Sequence, residues 1–294
     1  MRKILATLAA AALLAVAVAV PATAITKDFV QDFEHTFVGL IVFYDAEGEF
    51  SHRCTGELLA PTVVLTAGHC TDNEAGGVMA SARIWFRQDA GTRFDGTQDP
   101  VTGYPDVCLG TDAENPCATA HEMYNYGFDN FAGFPNTHDV GLVILDETMN
   151  GLGAASLAGA GTLDVLRKAR GTQVVDFVVS GYGISYSSKQ GDISFRERLM
   201  ANSKLVNLNA PWNDGYNVQL SGNGNDRGGT CSGDSGGPLF WPSDTNQIVG
   251  VTSFGKVNAG CRGDDYHYRT DRSDVIAWIL ARAGTAAGLI DIGD

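Results

Sequence analysis

The chain has 294 residues, 44% of them hydrophobic, with 36 glycines and a formal charge of −14. That length and composition support a large buried core in a turn-rich globular protein and exclude a disordered chain. Removing Arg2 and Lys3 with a leader leaves 18 basic against 34 acidic residues, a charge of −16 that excludes nucleic acid and anionic membranes as partners.

Met1 to Ala24 reads as a secretory signal: a basic start at Arg2 and Lys3, an apolar stretch from Ile4 to Val20, and small residues at Ala22-Thr23-Ala24 for cleavage. As a membrane span the stretch is short and Ala-rich, and no later stretch is apolar enough to cross a bilayer. Short β-branched and aromatic runs then predict strands at Val38–Tyr44, Val63–Thr66, Ala82–Arg87 and Val140–Leu145. Regions 89–136 and 207–228 are polar and rich in Gly, Asn and Asp, and read as solvated loops. Asp89, Asp95 and Asp99 lack the spacing of a calcium loop, and no metal is expected.

Gly151 to Gly161 reads as a linker. A second set of strands follows at Gln173–Ser180, Arg196–Val206, Pro238–Trp241 and Ile248–Phe254. One helix is predicted near the C-terminus, capped by Asp271 or Ser273, with Val275, Trp278 and Ile279 on one face. Many short strands without intervening helices indicate an all-β barrel or sandwich.

The chemistry centres on Cys231-Ser232-Gly233-Asp234-Ser235-Gly236-Gly237-Pro238. A serine hydroxyl becomes a nucleophile when a base takes its proton and fixed donors receive the charge on the attacked carbonyl. The same residues fit a G-x-S-x-G nucleophile elbow, but Gly236, Gly237, Pro238 and the strand-like Leu239-Phe240-Trp241 follow where an elbow needs a helix. An elbow would also place acid and histidine after the serine, where only His267 remains. Upstream, Leu65-Thr66-Ala67-Gly68-His69-Cys70 offers a base and His138-Asp139 a carboxylate at the head of an apolar run. The resulting order is His69, Asp139, Ser235. His138 is the weaker base candidate, because it would leave the His69 motif unexplained.

In these motifs the chain resembles the chymotrypsin-like (trypsin-like) serine proteases, in a secreted bacterial style, from about Ile25 to Leu280. The resemblance implies two antiparallel six-stranded β-barrels with a C-terminal helix: a signal at 1–24, a first barrel over 25–150 carrying His69 and Asp139, and a linker, second barrel and helix over 151–294 carrying Ser235. It implies a secreted, monomeric serine endopeptidase acting on proteins or peptides without a cofactor. Ser235 would be the nucleophile, His69 the general base and Asp139 its orienter, with Gly233 and Ser235 supplying oxyanion N–H groups. Ser253 would support Asp139, and Ser253, Phe254 and Gly255 would line the substrate.

Six cysteines allow fifteen pairings, among which spacing does not choose. The resemblance suggests Cys54–Cys70 and Cys231–Cys261, which leaves Cys108–Cys117. Gly229, six residues before the nucleophile and followed by Thr230, would form the floor of the specificity pocket. Its lack of charge favours apolar or aromatic P1 residues; an inward Asp264 or Asp265 would favour Lys or Arg instead. The usual activation sequence is absent, but leader cleavage would expose Ile25, whose ammonium is expected to pair with Asp234. The rival readings are a catalytically silent binding module on the same fold, and an esterase with the same triad.

Overall fold

The computed structural model describes residues 25–73, 75–90, 108, 110–111, 116–167, 175–188, 191–194, 196–255, 261 and 263–293. The leader, Asp95 and Asp99 lie outside them. After a two-residue strand β1 (Val30–Gln31), the first sheet is built from β2 (Val38–Tyr44), β3 (Phe50–Ala60), β4 (Val63–Thr66), β5 (Ser81–Trp85), β6 (Cys117–Ala120), β7 (Glu122–Asn125) and β8 (Gly141–Ile144). These run β6-β5-β2-β3-β4-β8-β7, a curled sheet that remains open between β6 and β7. All seven residues of β2 are buried, as its unbroken apolar run demands of a strand covered on both faces.

The second sheet comprises β9 (Ser156–Leu157), β10 (Asp176–Gly181), β13 (Leu199–Asn207), β14 (Asn217–Ser221), β15 (Pro238–Trp241), β16 (Asp244–Gly255) and β17 (Asp264–Arg269). Strands β13-β10-β15-β16-β17-β14 close on themselves through β13–β14, forming a six-stranded barrel. The hairpin β11 (Tyr186–Ser188) and β12 (Gly191–Ile193) stands apart. β1 pairs with β13, so the first described residues join the second sheet. Three disulfides form: Cys54–Cys70, Cys108–Cys117 and Cys231–Cys261.

A single turn, α1 (Gly68–Thr71), follows β4, and α2 (Ser273–Ala283) lies near the C-terminus. Val275 and Ile279 of α2 are buried as expected, and Trp278 meets Tyr126 with ring centroids 5.2 Å apart. The expected cap does not form. Arg272 occupies the N-cap position, and the Asp271 carboxylate instead accepts from Leu163 N at 2.8 Å and from the Arg269 guanidinium. A buried cation beside Asp271 outcompetes the cap, whose reward is a single backbone bond.

Arg198, only 2% exposed, ties the sheets together. Its guanidinium donates to the carbonyls of Asp32, Val38 and Phe86 and to the Tyr182 hydroxyl at 3.0–3.2 Å. Beside it, the buried Asp32 carboxylate accepts from His35 Nδ1 at 2.9 Å and Ser180 Oγ at 2.6 Å. Burial opposes the charge on Asp32, yet His35 and Ser180 hold its pKa down at about 2. A carboxylate depressed in this way stabilises the fold above its unfolded pKa near 4, and the benefit disappears as pH falls through about 2. Asp32→Asn is therefore expected to cost about 2 kcal/mol in urea unfolding at pH 7 and much less at pH 2; equal losses at both would contradict this account.

Candidate active site

The turn after β4 presents His69, whose backbone N–H donates to Asp139 Oδ1 at 2.7 Å. The ring follows the backbone: Nδ1 lies 2.9 Å from Asp139 Oδ2 and 3.1 Å from Oδ1. Asp139 is fully buried, and its Oδ2 also accepts from Ser253 Oγ. Nδ1 is thus committed to the carboxylate, leaving Nε2 as the ring atom able to take a proton. Burial favours the neutral ring, but the charge and hydrogen bond of Asp139, with the more distant Asp72, raise the His69 pKa above the ordinary imidazole value. The sulfurs of Cys54–Cys70 lie within 4.8 Å of the His69 ligand nitrogen, anchoring the turn.

The other candidate histidines are engaged elsewhere. His138 Nε2 bonds Asn136 at 3.0 Å, and His267 is fully buried on β17.

The Ser235 loop is held on both sides. From the first sheet, Thr55 N donates to the Ser235 carbonyl and Thr55 Oγ1 to the Gly233 carbonyl, each at 2.8 Å. From the second, Gly236 N donates to Thr252 O at 2.8 Å, and Thr252 N to Gly237 O at 2.9 Å. Ser235 is half-buried and shares with His69 a cleft of about 1100 Å³. Among the described residues no hydrogen bond joins Ser235 Oγ to His69, and the N–H groups of Gly233 and Ser235 have no acceptor. Two unmatched backbone donors beside a serine are a ready receptor for an oxyanion. Gly233 has φ +98°, and a Cβ there would lie 3.0 Å from both Arg53 Nε and Gly183 Cα. Only glycine fits this conformation without strain.

Asp234 is fully buried and accepts from Gly183 N at 2.7 Å and Cys231 N at 2.9 Å. Burial pushes its pKa up to about 7, against the pull of those two donors and the nearby Arg53 charge. Ile25 is fully buried in the core of the second barrel, and its amide makes no bond to Asp234 in the uncut chain. Thr26 and Gly229 pair by two backbone hydrogen bonds of 3.0 and 3.1 Å. The Asp265 carboxylate reaches this place: Oδ2 accepts from Thr230 N at 2.7 Å and lies 2.7 Å from where a Cβ on Gly229 would stand.

Phe254, next to Ser253, stacks on Tyr266 with centroids 4.6 Å apart. It belongs to a chain of rings that sequence reading missed, Phe128–Phe131–Phe254–Phe134–Trp212, with successive centroids 5.2–5.9 Å apart and Phe128 against His69. The spacing Phe128-x-x-Phe131-x-x-Phe134 inside a polar loop was the available signal.

The trypsin family model matches residues 33–279, spanning most of both sheets and every residue of this site except Ile25 and Thr26. The chain belongs to the trypsin family. The chain is similar to a fibrinolytic enzyme, isozyme C, of Lumbricus rubellus, 27% identical over 247 residues that cover 79% of this chain and 89% of that protein. Brachyurin of Leptuca pugilator is 27% identical over 235 residues, covering 79% and 88%. Human chymotrypsin-like elastase family member 3B is 26% identical over 219 residues, covering 72% and 71%. Among solved structures, an HL collagenase superposes with a TM-score of 0.59 at 16% identity over 85% of this chain and 94% of that one, a likeness of fold. As a trypsin-family member the chain is a serine endopeptidase.

Gly233→Ala is expected to lower kcat by about 10²–10³ through a misplaced oxyanion donor, with KM little changed. Steady-state kinetics on the folded variant checks this, and a wild-type kcat would contradict it.

Proposed function

We propose that Ser235, His69 and Asp139 hydrolyse peptide bonds by acyl transfer. The observation that carries the reading is the doubly anchored His69–Asp139 pair facing the same cleft as Ser235 and its two unmatched N–H groups. His69 Nε2 takes the Ser235 proton as Oγ bonds to the substrate carbonyl carbon, and the carbonyl oxygen becomes an oxyanion held by the N–H groups of Gly233 and Ser235. The C–N bond then breaks, the leaving amine takes the proton from His69, and the acyl group remains as an ester on Ser235. Water, deprotonated by His69, cleaves that ester and restores the hydroxyl. Asp139 keeps the ring in one tautomer and stabilises its cationic form, while Ser253 holds Asp139.

The protein acts outside the cell after loss of residues 1–24, a setting in which its three disulfides persist. Leader cleavage after Ala24 also activates it. The Thr26–Gly229 pairing holds Ile25 in the second barrel, and a freed Ile25 ammonium would give the buried Asp234 carboxylate the positive partner its two backbone donors do not provide. Substrate chains lie along Ser253–Gly255 with the P1 side chain directed toward Gly229 and Thr230. The uncharged Gly229 admits apolar and aromatic side chains, with the Asp265 carboxylate at that floor.

A serine-directed phosphonate should modify Ser235, and Ser235→Ala should reduce kcat by about 10⁶; a variant with unchanged peptidase activity would rule out the assignment. Because the working base is neutral His69 and Asp139 raises its pKa, kcat/KM should rise with pH, with a midpoint above the ordinary imidazole value of about 6.5. Full activity at pH 4 would exclude a histidine base. For activation, protein beginning at Ile25 should be fully active, and protein with one extra residue ahead of Ile25 should fold but show a much lower kcat; equal activity would discard the mechanism.

A further inference from the structure

Asp265 lies on β17 opposite Leu220 of β14 and Gly255 of β16, two residues beyond Ser253. It is 6% exposed, and its carboxylate fills the space that residue 229 leaves empty. Among the described residues, the groups around it supply no cation. Asp234 and Asp264 add negative charge. His267, two residues along the same strand, has Nδ1 3.3 Å from Thr252 Oγ1 and no partner at Nε2 among the described residues. Burial lowers the His267 pKa to about 3, so this ring stays neutral. Asp265 itself has one backbone donor, Thr230 N, and no ion pair among the described residues. A buried carboxylate in that position is either protonated or waits for a cation.

We propose that Asp265 sets the P1 preference in two states: the neutral acid admits apolar and aromatic side chains, and the carboxylate admits lysine or arginine. This rests on the peptidase reading above. As the acid, Asp265 presents no charge to a phenyl or isobutyl group, and a cationic side chain would enter the pocket without a counterion. As the carboxylate, it pairs with an ammonium or guanidinium carried in by the substrate, while an apolar side chain would seal an unpaired anion away from water. Burial, with the charges of Asp234 and Asp264, outweighs the Thr230 hydrogen bonds and raises the Asp265 pKa to about 7, so both states are populated near neutrality. The sign is definite: selectivity moves toward basic P1 residues as pH rises.

The test compares two peptide amides, identical except for Phe or Arg at P1, cleaved by the active protease across neutral pH. Protonation of His69 slows both equally and cancels in the ratio of their kcat/KM values. That Arg-to-Phe ratio should rise at least about tenfold from pH 6 to pH 8, and Asp265→Asn should make it flat and favour Phe. Benzamidine inhibition of Phe-peptide cleavage by the wild type gives a second readout, its Ki falling about tenfold over the same range. A pH-independent ratio and Ki, with both peptides cleaved, would overturn the proposal. Failure to cleave either peptide, with Ser235 unlabelled by phosphonate, would instead defeat the peptidase reading.

Discussion

Thr55 is the joint on which the site depends. Its N–H and hydroxyl hold the carbonyls of Ser235 and Gly233, its own carbonyl accepts from Thr66 Oγ1, and its hydroxyl accepts from Tyr182 N at 3.1 Å. One residue of β3 therefore fixes the Ser235 loop, the end of the strand that leads to His69, and the start of the segment carrying Gly183. With the carbonyls of Gly233 and Ser235 directed away to Thr55, the loop is held in the conformation that leaves its N–H groups unmatched. Backbone pairing across the two sheets, rather than a contact between the two side chains, places His69 and Ser235 on the same cleft.

Among the buried aspartates, Asp32, Asp139, Asp234 and Asp265 divide by their partners into two kinds. Asp32 has His35, Ser180 and the Arg198 guanidinium 3.8 Å away, and Asp139 has His69 and Ser253. Asp234 and Asp265 are held by backbone N–H groups, and burial raises both toward neutrality, to about 7. The first pair is structural or orienting, with its charge compensated within the fold. For the second pair we propose partners from outside the fold: a freed chain terminus at Asp234, which the nearby Arg53 charge leaves with a raised pKa, and a substrate side chain at Asp265. In that proposal the same physical deficit connects activation with substrate choice.

Apolar strands were legible in the sequence: β2, β4 and β15 coincide with the runs Val38–Tyr44, Val63–Thr66 and Pro238–Trp241. The misses share a cause. β3 runs from Phe50 through the polar Ser51-His52-Arg53 and carries Thr55 and Glu57, while Asp265, His267 and Arg269 of β17 are buried. Such strands carry chemistry on a buried face and lose the alternation from which strands are recognised. β14 lay hidden in a region read as loop, and the aromatic wall from Phe128 to Trp212 is assembled by tertiary contacts between distant segments. The proposed triad residues stand out in the sequence because each ends or begins an apolar run beside glycine or cysteine. The direction of Asp265 was not, because it depends on register with Gly255.

The most direct test of the account is to catch the covalent intermediate. An activated ester with a slowly hydrolysed acyl group would be mixed with the active protease, quenched in acid within the burst, and the digest mapped by mass spectrometry. The account predicts one acyl group per active site, carried on the peptide containing Ser235, and no burst in His69→Ala protein. An acyl group on another residue, or an undiminished burst without His69, would contradict it.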